Sequence, residues 1–278
     1  MSRACCTGFL DEGVPAGFVE QFGGVLTYVA EPQENSNNNS KGAIVIATDA
    51  FGYTLINNRL LADGFAKETG MLCVVPDLFG TIGGMPVDLL EPLEKSSSSR
   101  PWWQRVLEVP YKVFAIVRIL LTFIWWIRRQ PPASKVPLLE SVMAAVQEKY
   151  GVSKFGVQGY CYGGKLAVLL GGKANSPVAA VAMAHPSFVK EEDVERLCLP
   201  QLWLCAGSDM TFGERLRTKV EEICRRKEAS GGPQATFYVY PGVEHGFAVR
   251  GDGTNPVVKK AREDAFTKAS NFFKSYLA

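Results

Sequence analysis

The sequence predicts an α/β fold, a doubly wound and mostly parallel sheet carrying a helical, tryptophan-rich insertion. Three observations predict it. Short apolar runs alternate with helix-length stretches along most of the chain, the pattern of βαβ units joined by right-handed crossovers. Most of those runs are continuously apolar rather than alternating, as strands covered on both faces require. With 278 residues, 47% of them hydrophobic, the chain can bury a large core without dividing. Residues 1–278 are therefore read as a single domain, with 96–135 inserted into it as a lid-like or membrane-contacting segment.

In chain order, the first apolar run is Val25–Val29, followed by the polar stretch EPQENSNNNSKG over 31–42, which reads as a hairpin loop. Ala43–Thr48 and Leu72–Val75 are strand-length runs, with a helix expected between them over Leu55–Lys67. Beyond the insertion, Pro137–Tyr150 reads as a helix. Phe155–Gln158 reads as a strand because Phe155 and Val157 alternate, and Gly163–Lys173 as a buried helix because Leu166–Leu170 is uniformly apolar. Strands at Val178–Ala184, Leu202–Ala206 and Thr236–Tyr240 then interleave with helices at Phe212–Glu228 and Pro256–Tyr276. There is no internal repeat.

The segment WWQRVLEVPYKVFAIVRILLTFIWW, Trp102–Trp126, breaks this alternation. It is strongly apolar and lies between EKSSSSRP and RRQPP. A membrane-spanning helix needs roughly 20 mostly apolar residues. The stretch free of proline is Tyr111–Ile127 and carries Lys112 and Arg118, which argues against spanning. Two readings remain: a cap packed over the active edge of the sheet, or an amphipathic helix lying on a membrane with its tryptophans at the interface.

Charge excludes some functions. Thirty basic residues balance 28 acidic ones with no polybasic tract, so nucleic acid is not expected as a partner. The seven cysteines are irregularly spaced and form no paired CxxC unit, so no metal site is expected. Free thiols suit a cytosolic location, and the N-terminus MSRACCTGFLDEG reaches Asp11 without a signal-peptide core. Cys5 and Cys6 read as surface or packed thiols, with palmitoylation or metal binding as the alternatives.

The chemistry concentrates at FGVQGYCYGGKLAV, residues 155–168. Gly159-Tyr160-Cys161-Tyr162-Gly163 is a G-x-nucleophile-x-G turn between a strand and a helix. Such a turn holds its central side chain exposed in a strained backbone conformation, and the glycines let strand and helix approach. A cysteine there also meets the positive end of the following helix, which favours thiolate. Further along, Asp209 follows the run LPQLWLCA and His245 follows TFYVYPG, each on a loop after a strand. Nucleophile, acid and histidine in that order make a catalytic triad in which His245 moves the proton and Asp209 orients it. The oxyanion donors expected are the backbone N–H groups of Tyr162 and Ala50, the latter on the loop after an early strand. The neighbouring Asp49 has a helix or turn cap as its other reading, and His185 reads as a pocket-lining or hydrogen-bond-satisfied structural histidine. No cofactor is expected; the sequence lacks the GK[ST] ending of a phosphate loop.

These residues resemble a known family. GYCYGG, SDM and EHGF, with DAFG at 49–52 and VPDLFG at 75–80, are similar to the dienelactone hydrolases of the α/β-hydrolase fold. The opening CCTGFLDEGVPAGFVEQFGGVLTYVA resembles eukaryotic members, and only the tryptophan-rich segment stands outside the likeness. The resemblance implies a Cys161-His245-Asp209 hydrolase that opens lactones or small esters through a thioester. It also implies that Asp49 modulates the resting nucleophile, where the bacterial prototype has a glutamate. The resemblance further implies that Arg250 is the counterpart of the family's substrate-carboxylate arginine, with a solvated surface charge as its other reading. Tyr160 and His185 are expected to line the substrate pocket. The competing class is a non-enzymatic or weakly active membrane-surface or interaction protein that uses the apolar segment, and transfer of the acyl group to an acceptor other than water would need the same residues.

Overall fold

The computed structural model describes residues 11, 13–32, 42–86 and 102–278. The readings for Cys5 and Cys6, for most of the polar loop and for the first residues of the insertion lie outside the described residues. Eight strands form one sheet: β1 (Phe18–Phe22), β2 (Val25–Ala30), β3 (Gly42–Ala47), β4 (Leu72–Pro76), β5 (Lys154–Tyr160), β6 (Val178–Ala184), β7 (Gln201–Ser208) and β8 (Ala235–Glu244). Their order across the sheet is β1-β2-β4-β3-β5-β6-β7-β8. The first two pairings, β1 with β2 and β2 with β4, are antiparallel, and every later pairing is parallel. All seven strands expected from the sequence are present.

The eighth, β1, escaped the apolar criterion because FVEQF is an edge strand whose first four residues retain access to solvent. Its signal was the two-residue Gly23-Gly24 connection to β2. Both glycines have positive φ, +56° and +82°, as the tight hairpin turn requires. β3 and β4 are buried throughout and β5 almost so, whereas β1 and β8 form the exposed edges. Burial on both faces explains the continuous apolar runs at the centre.

The helices are α1 (Ile56–Thr69), α2 (Trp102–Arg129), α3 (Val136–Tyr150), α4 (Tyr162–Gly171), α5 (Glu191–Arg196), α6 (Glu214–Ala229), α7 (Phe247–Arg250) and α8 (Pro256–Leu277). A Cβ placed on Gly156 of β5 would strike Phe273 and Leu277 of α8, while one on Gly159 would strike Gly163 and Gly164 of α4. Positions three apart on a strand face opposite sides, so α8 and α4 cover opposite faces of the sheet. α1 joins α8 through Phe65, whose ring centroid lies 4.7 Å from that of Phe266 and 6.2 Å from that of Phe273.

α2 continues through Pro110, so the proline does not delimit the helix as its position suggested. Its C-terminal half is docked. Trp126 is 2% exposed, and its indole N–H donates to the Gly83 carbonyl at 3.0 Å. The side chain of Gln130, just past the helix, donates to the Phe79 carbonyl at 3.0 Å. Among the described residues no helix is long and apolar enough to cross a membrane.

Candidate active site

The parallel strands carry the site at their carboxyl ends. β3 leads into Asp49 and Ala50, β5 into Cys161, β6 into His185, β7 into Asp209 and β8 into His245. Five adjacent parallel strands thus deliver residues far apart in sequence to one edge, where ligand sites of open α/β sheets form.

Cys161 has φ +50° and ψ −110°, a region that a non-glycine residue occupies only under constraint. The constraint is visible in its neighbours. The Cys161 N–H donates to the Ala184 carbonyl at 3.2 Å, and its carbonyl accepts from the N–H groups of Gly164 at 3.1 Å and Ser187 at 2.8 Å. A Cβ on Gly163 would lie 1.9 Å from the Ala47 carbonyl oxygen, so the turn presses directly on the backbone that ends β3. The N–H groups of Ala50 and Tyr162, on the two sides of that contact, have no partner among the described residues.

The structure brings Cys161, His245 and Asp209 together. His245 donates through Nδ1 to Asp209 Oδ2 at 2.8 Å, both side chains being buried. The other carboxylate oxygen accepts from the Thr211 hydroxyl at 2.8 Å and from the N–H groups of Thr211 and Phe212 at 2.8 and 3.1 Å. Asp209 is therefore both a turn residue and the partner of the histidine. The Ser187 hydroxyl lies 3.4 Å from Cys161 Sγ and 3.5 Å from His245 Nε2, bridging thiol and imidazole.

The electrostatics follow from this packing. Burial opposes ionisation of the Cys161 thiol, but the charge of His245 and the hydroxyl of Ser187 outweigh it, and the thiol lies below its ordinary pKa; the Asp49 carboxylate acts in the opposite sense. Burial likewise disfavours the imidazolium of His245, yet the Cys161 thiolate and the Asp209 carboxylate raise it well above the usual histidine value. Asp209 resists the upward push of burial through its bonds to His245 and Thr211, and its carboxyl lies at about 2. Cys161 and His245 each favour the charged form of the other, and the Asp209 carboxylate favours that of His245.

Asp49 and Arg250 form a second buried pair, with Arg250 Nε donating to Asp49 Oδ2 at 3.0 Å. The Phe51 N–H also donates to Asp49, at 3.2 Å, and Asn58 Nδ2 at 3.5 Å. The guanidinium carbon of Arg250 stands 4.2 Å from the centroid of the Phe51 ring, and its Nη1 has no partner among the described residues. The solvated-charge reading of Arg250 is overturned: at 2% exposure it is part of the core.

His185 loses one of its two readings. Neither ring nitrogen has a hydrogen-bond partner among the described residues, so it is not a satisfied structural histidine. Its ring lies edge-on to His245, centroids 5.0 Å apart, and burial together with the nearby His245 charge holds it well below its ordinary pKa and neutral. Tyr160 is buried against it at 6.1 Å, and neither side chain opens onto solvent. His185 thus packs directly on His245, with Tyr160 as a further contact. Sequence reading missed Ser187, which carries no local signal. It also missed Thr211, whose place two residues after Asp209 is the signature of an Asx turn.

Beside the Cys161 turn, helix α2 joins an aromatic cluster that includes Tyr162. The Trp126 ring meets those of Phe79 and Tyr162 edge-on at 4.9 and 5.4 Å, and Phe123 stacks on Phe188 at 6.3 Å. The Tyr162 hydroxyl donates to the Gln130 carbonyl at 2.8 Å, tying the residue after Cys161 to the end of the helix.

A sequence model of the dienelactone hydrolase family matches residues 25–277. The chain belongs to that family. Among relatives, it is 30% identical over 276 residues to the protein called Hydrolase pyvD of Aspergillus violaceofuscus, covering 99% of this chain and 97% of that one. It is 31% identical over 265 residues to Dienlactone hydrolase 1 of Gibberella moniliformis, covering 94% and 88% of the two chains. In three dimensions it is similar to a putative dienelactone hydrolase from Klebsiella pneumoniae, with TM-score 0.65, 18% identity and coverage of 91% and 93%. The esterase Pf2001 of Pyrococcus furiosus shares the fold at TM-score 0.60 and 9% identity, over 98% of this chain and 99% of that one. As a member of the dienelactone hydrolase family, the chain is a hydrolase of the α/β-hydrolase fold.

Proposed function

We propose that this family member hydrolyses a carboxylic ester or lactone through a thioester on Cys161. The reading rests on one observation above all: a cysteine at a strained strand-to-helix turn, paired with a buried histidine whose far nitrogen is held 2.8 Å from a carboxylate. The thiolate of Cys161 attacks the carbonyl carbon, and the N–H groups of Ala50 and Tyr162 hold the oxyanion. The tetrahedral adduct collapses and the alkoxide leaves, taking a proton from His245 Nε2. His245, now neutral, accepts a proton from water as that water attacks the thioester, and the acid departs from a regenerated thiolate–imidazolium pair. Asp209 keeps Nδ1 protonated throughout, and Asp49 tunes the nucleophile through its charge.

Residues 96–135 act as a lid within a single domain in this reading, and the wall of Phe123, Trp126 and Phe188 favours an apolar substrate. The unpartnered Nη1 of Arg250 supports recognition of an acid group on that substrate. The free thiols at Cys73, Cys161, Cys198, Cys205 and Cys224 fit a cytosolic setting. The test is burst-phase hydrolysis of a p-nitrophenyl ester with intact-mass detection of the acyl adduct. The adduct should form on the wild type and vanish in Cys161→Ala, and turnover should collapse in His245→Ala. An adduct that persists in folded Cys161→Ala would refute the assignment.

A further inference from the structure

Helix α2 has a second face. Opposite the docked Ala115, Ile119 and Trp126 lie Val113, Phe114, Val117, Leu121, Ile124 and Trp125, between 43% and 66% exposed. Their spacing repeats every three to four residues, so they form one stripe along the outside of the helix. A continuous apolar stripe of this size on a soluble surface marks an interaction site. The charge on the same helix narrows the partner. Arg118, Arg128 and Arg129 are exposed, and the Arg129 guanidinium stands 4.4 Å from the centroid of the Trp125 ring. Across Trp102–Arg129 the basic residues are Arg105, Lys112, Arg118, Arg128 and Arg129, against the single acid Glu108. A second copy docking face to face would bring three more arginines to these and no carboxylate from the stripe. Anionic headgroups supply the missing charge, and half-exposed tryptophan beside arginine suits the boundary between headgroup and acyl chain.

We propose that the outer face of α2 docks the protein on an anionic lipid surface, the helix lying in the plane of the membrane while its inner face caps the site. This goes beyond the hydrolase chemistry and is measured without it. The full chain is co-sedimented with vesicles of phosphatidylcholine alone and of phosphatidylcholine mixed with phosphatidylserine, with light scattering for oligomeric state. Binding is expected on the mixed vesicles only, weakening as salt rises. Leu121→Glu with Ile124→Glu should abolish it, and Arg118→Gln with Arg128→Gln and Arg129→Gln should weaken partitioning about a hundredfold. Because those arginines are exposed, the second variant should melt like the wild type and keeps the test valid if the first misfolds. Quenching of Trp125 by brominated acyl chains, lost in Trp125→Phe, would further support the orientation. The proposal fails if neither vesicle pellets the protein, or if neutral vesicles bind equally and the arginine variant does not matter. It also fails if the protein is a dimer that the two glutamates split without lipid involvement; the face would then belong to a second copy.

Discussion

Gly163→Ala isolates the contact on which the Cys161 turn depends. Local propensity argues for the change, since alanine is favoured over glycine within a helix by about 1 kcal/mol. The tertiary contact argues against it. The added methyl would lie 1.9 Å from the Ala47 oxygen, 2.4 Å from its carbon and 2.8 Å from the Thr48 oxygen. All three are backbone atoms of a fully buried segment, so no rotamer change relieves them. Reaching the 3.0 Å below which real contacts essentially never occur requires a shift of more than 1 Å between α4 and the end of β3. Overpacking of this kind costs about 1–3 kcal/mol or more, which exceeds the propensity gain. We expect a net loss of about 2 kcal/mol, or roughly 4–8 °C in Tm for a domain of this size. Because the displaced segment leads to the Ala50 N–H, kcat should fall by about a hundredfold, the usual effect of a 1 Å misplacement. The assay is thermal unfolding by circular dichroism beside steady-state ester kinetics. Gly253→Ala, where the methyl would approach nothing closer than 3.9 Å, serves as the neutral control. A Gly163→Ala protein that melts at or above the wild-type temperature with unchanged kcat would refute the reasoning.

Three further outcomes are expected. Iodoacetamide near neutral pH should alkylate Cys161 before the other buried thiols, because burial pushes Cys205 and Cys224 up to about 12 and Cys73 well above its ordinary value; peptide mapping reads the order. The depressed carboxyl of Asp209 contributes stability above its ordinary 3.8 that is lost as pH falls toward its folded value of about 2. Urea unfolding of the wild type should therefore lose roughly 2 kcal/mol across that window, and Asp209→Asn should flatten the loss. Arg250→Leu should destabilise by about 3–5 kcal/mol because Asp49 is left buried and unpaired, while adding Asp49→Leu should recover much of it; a double-mutant cycle that shows no coupling would count against the pair.

Much of this was legible in the chain itself. The central strands could be read because burial on both faces demands apolar side chains at every position, and β1 could not because an edge strand makes no such demand. Its Gly23-Gly24 turn was the signal available instead. Cys161, Asp209 and His245 stood out because each follows an apolar run on a loop, and the parallel sheet turns that linear regularity into proximity at one edge. Arg250 illustrates the limit. Within HGFAVRG an arginine can face solvent or a partner, and only the packing of α7 against Asp49 and Phe51 decides between them. His185 and Ser187 behave alike, since what they touch is supplied by β7 and β8 from elsewhere in the chain. The insertion is the plainest case: its composition shows that both faces of the helix are apolar, but not which face meets the protein. By itself the sequence determined seven of the eight strands, the order of strands and helices along the chain, and the loops that carry Cys161, Asp209 and His245, because local patterning carries periodicity and turn chemistry. Only the tertiary structure decided the buried Asp49–Arg250 pair, the Ser187 bridge and the docked face of α2, because those depend on which distant residues the fold brings within a few ångströms.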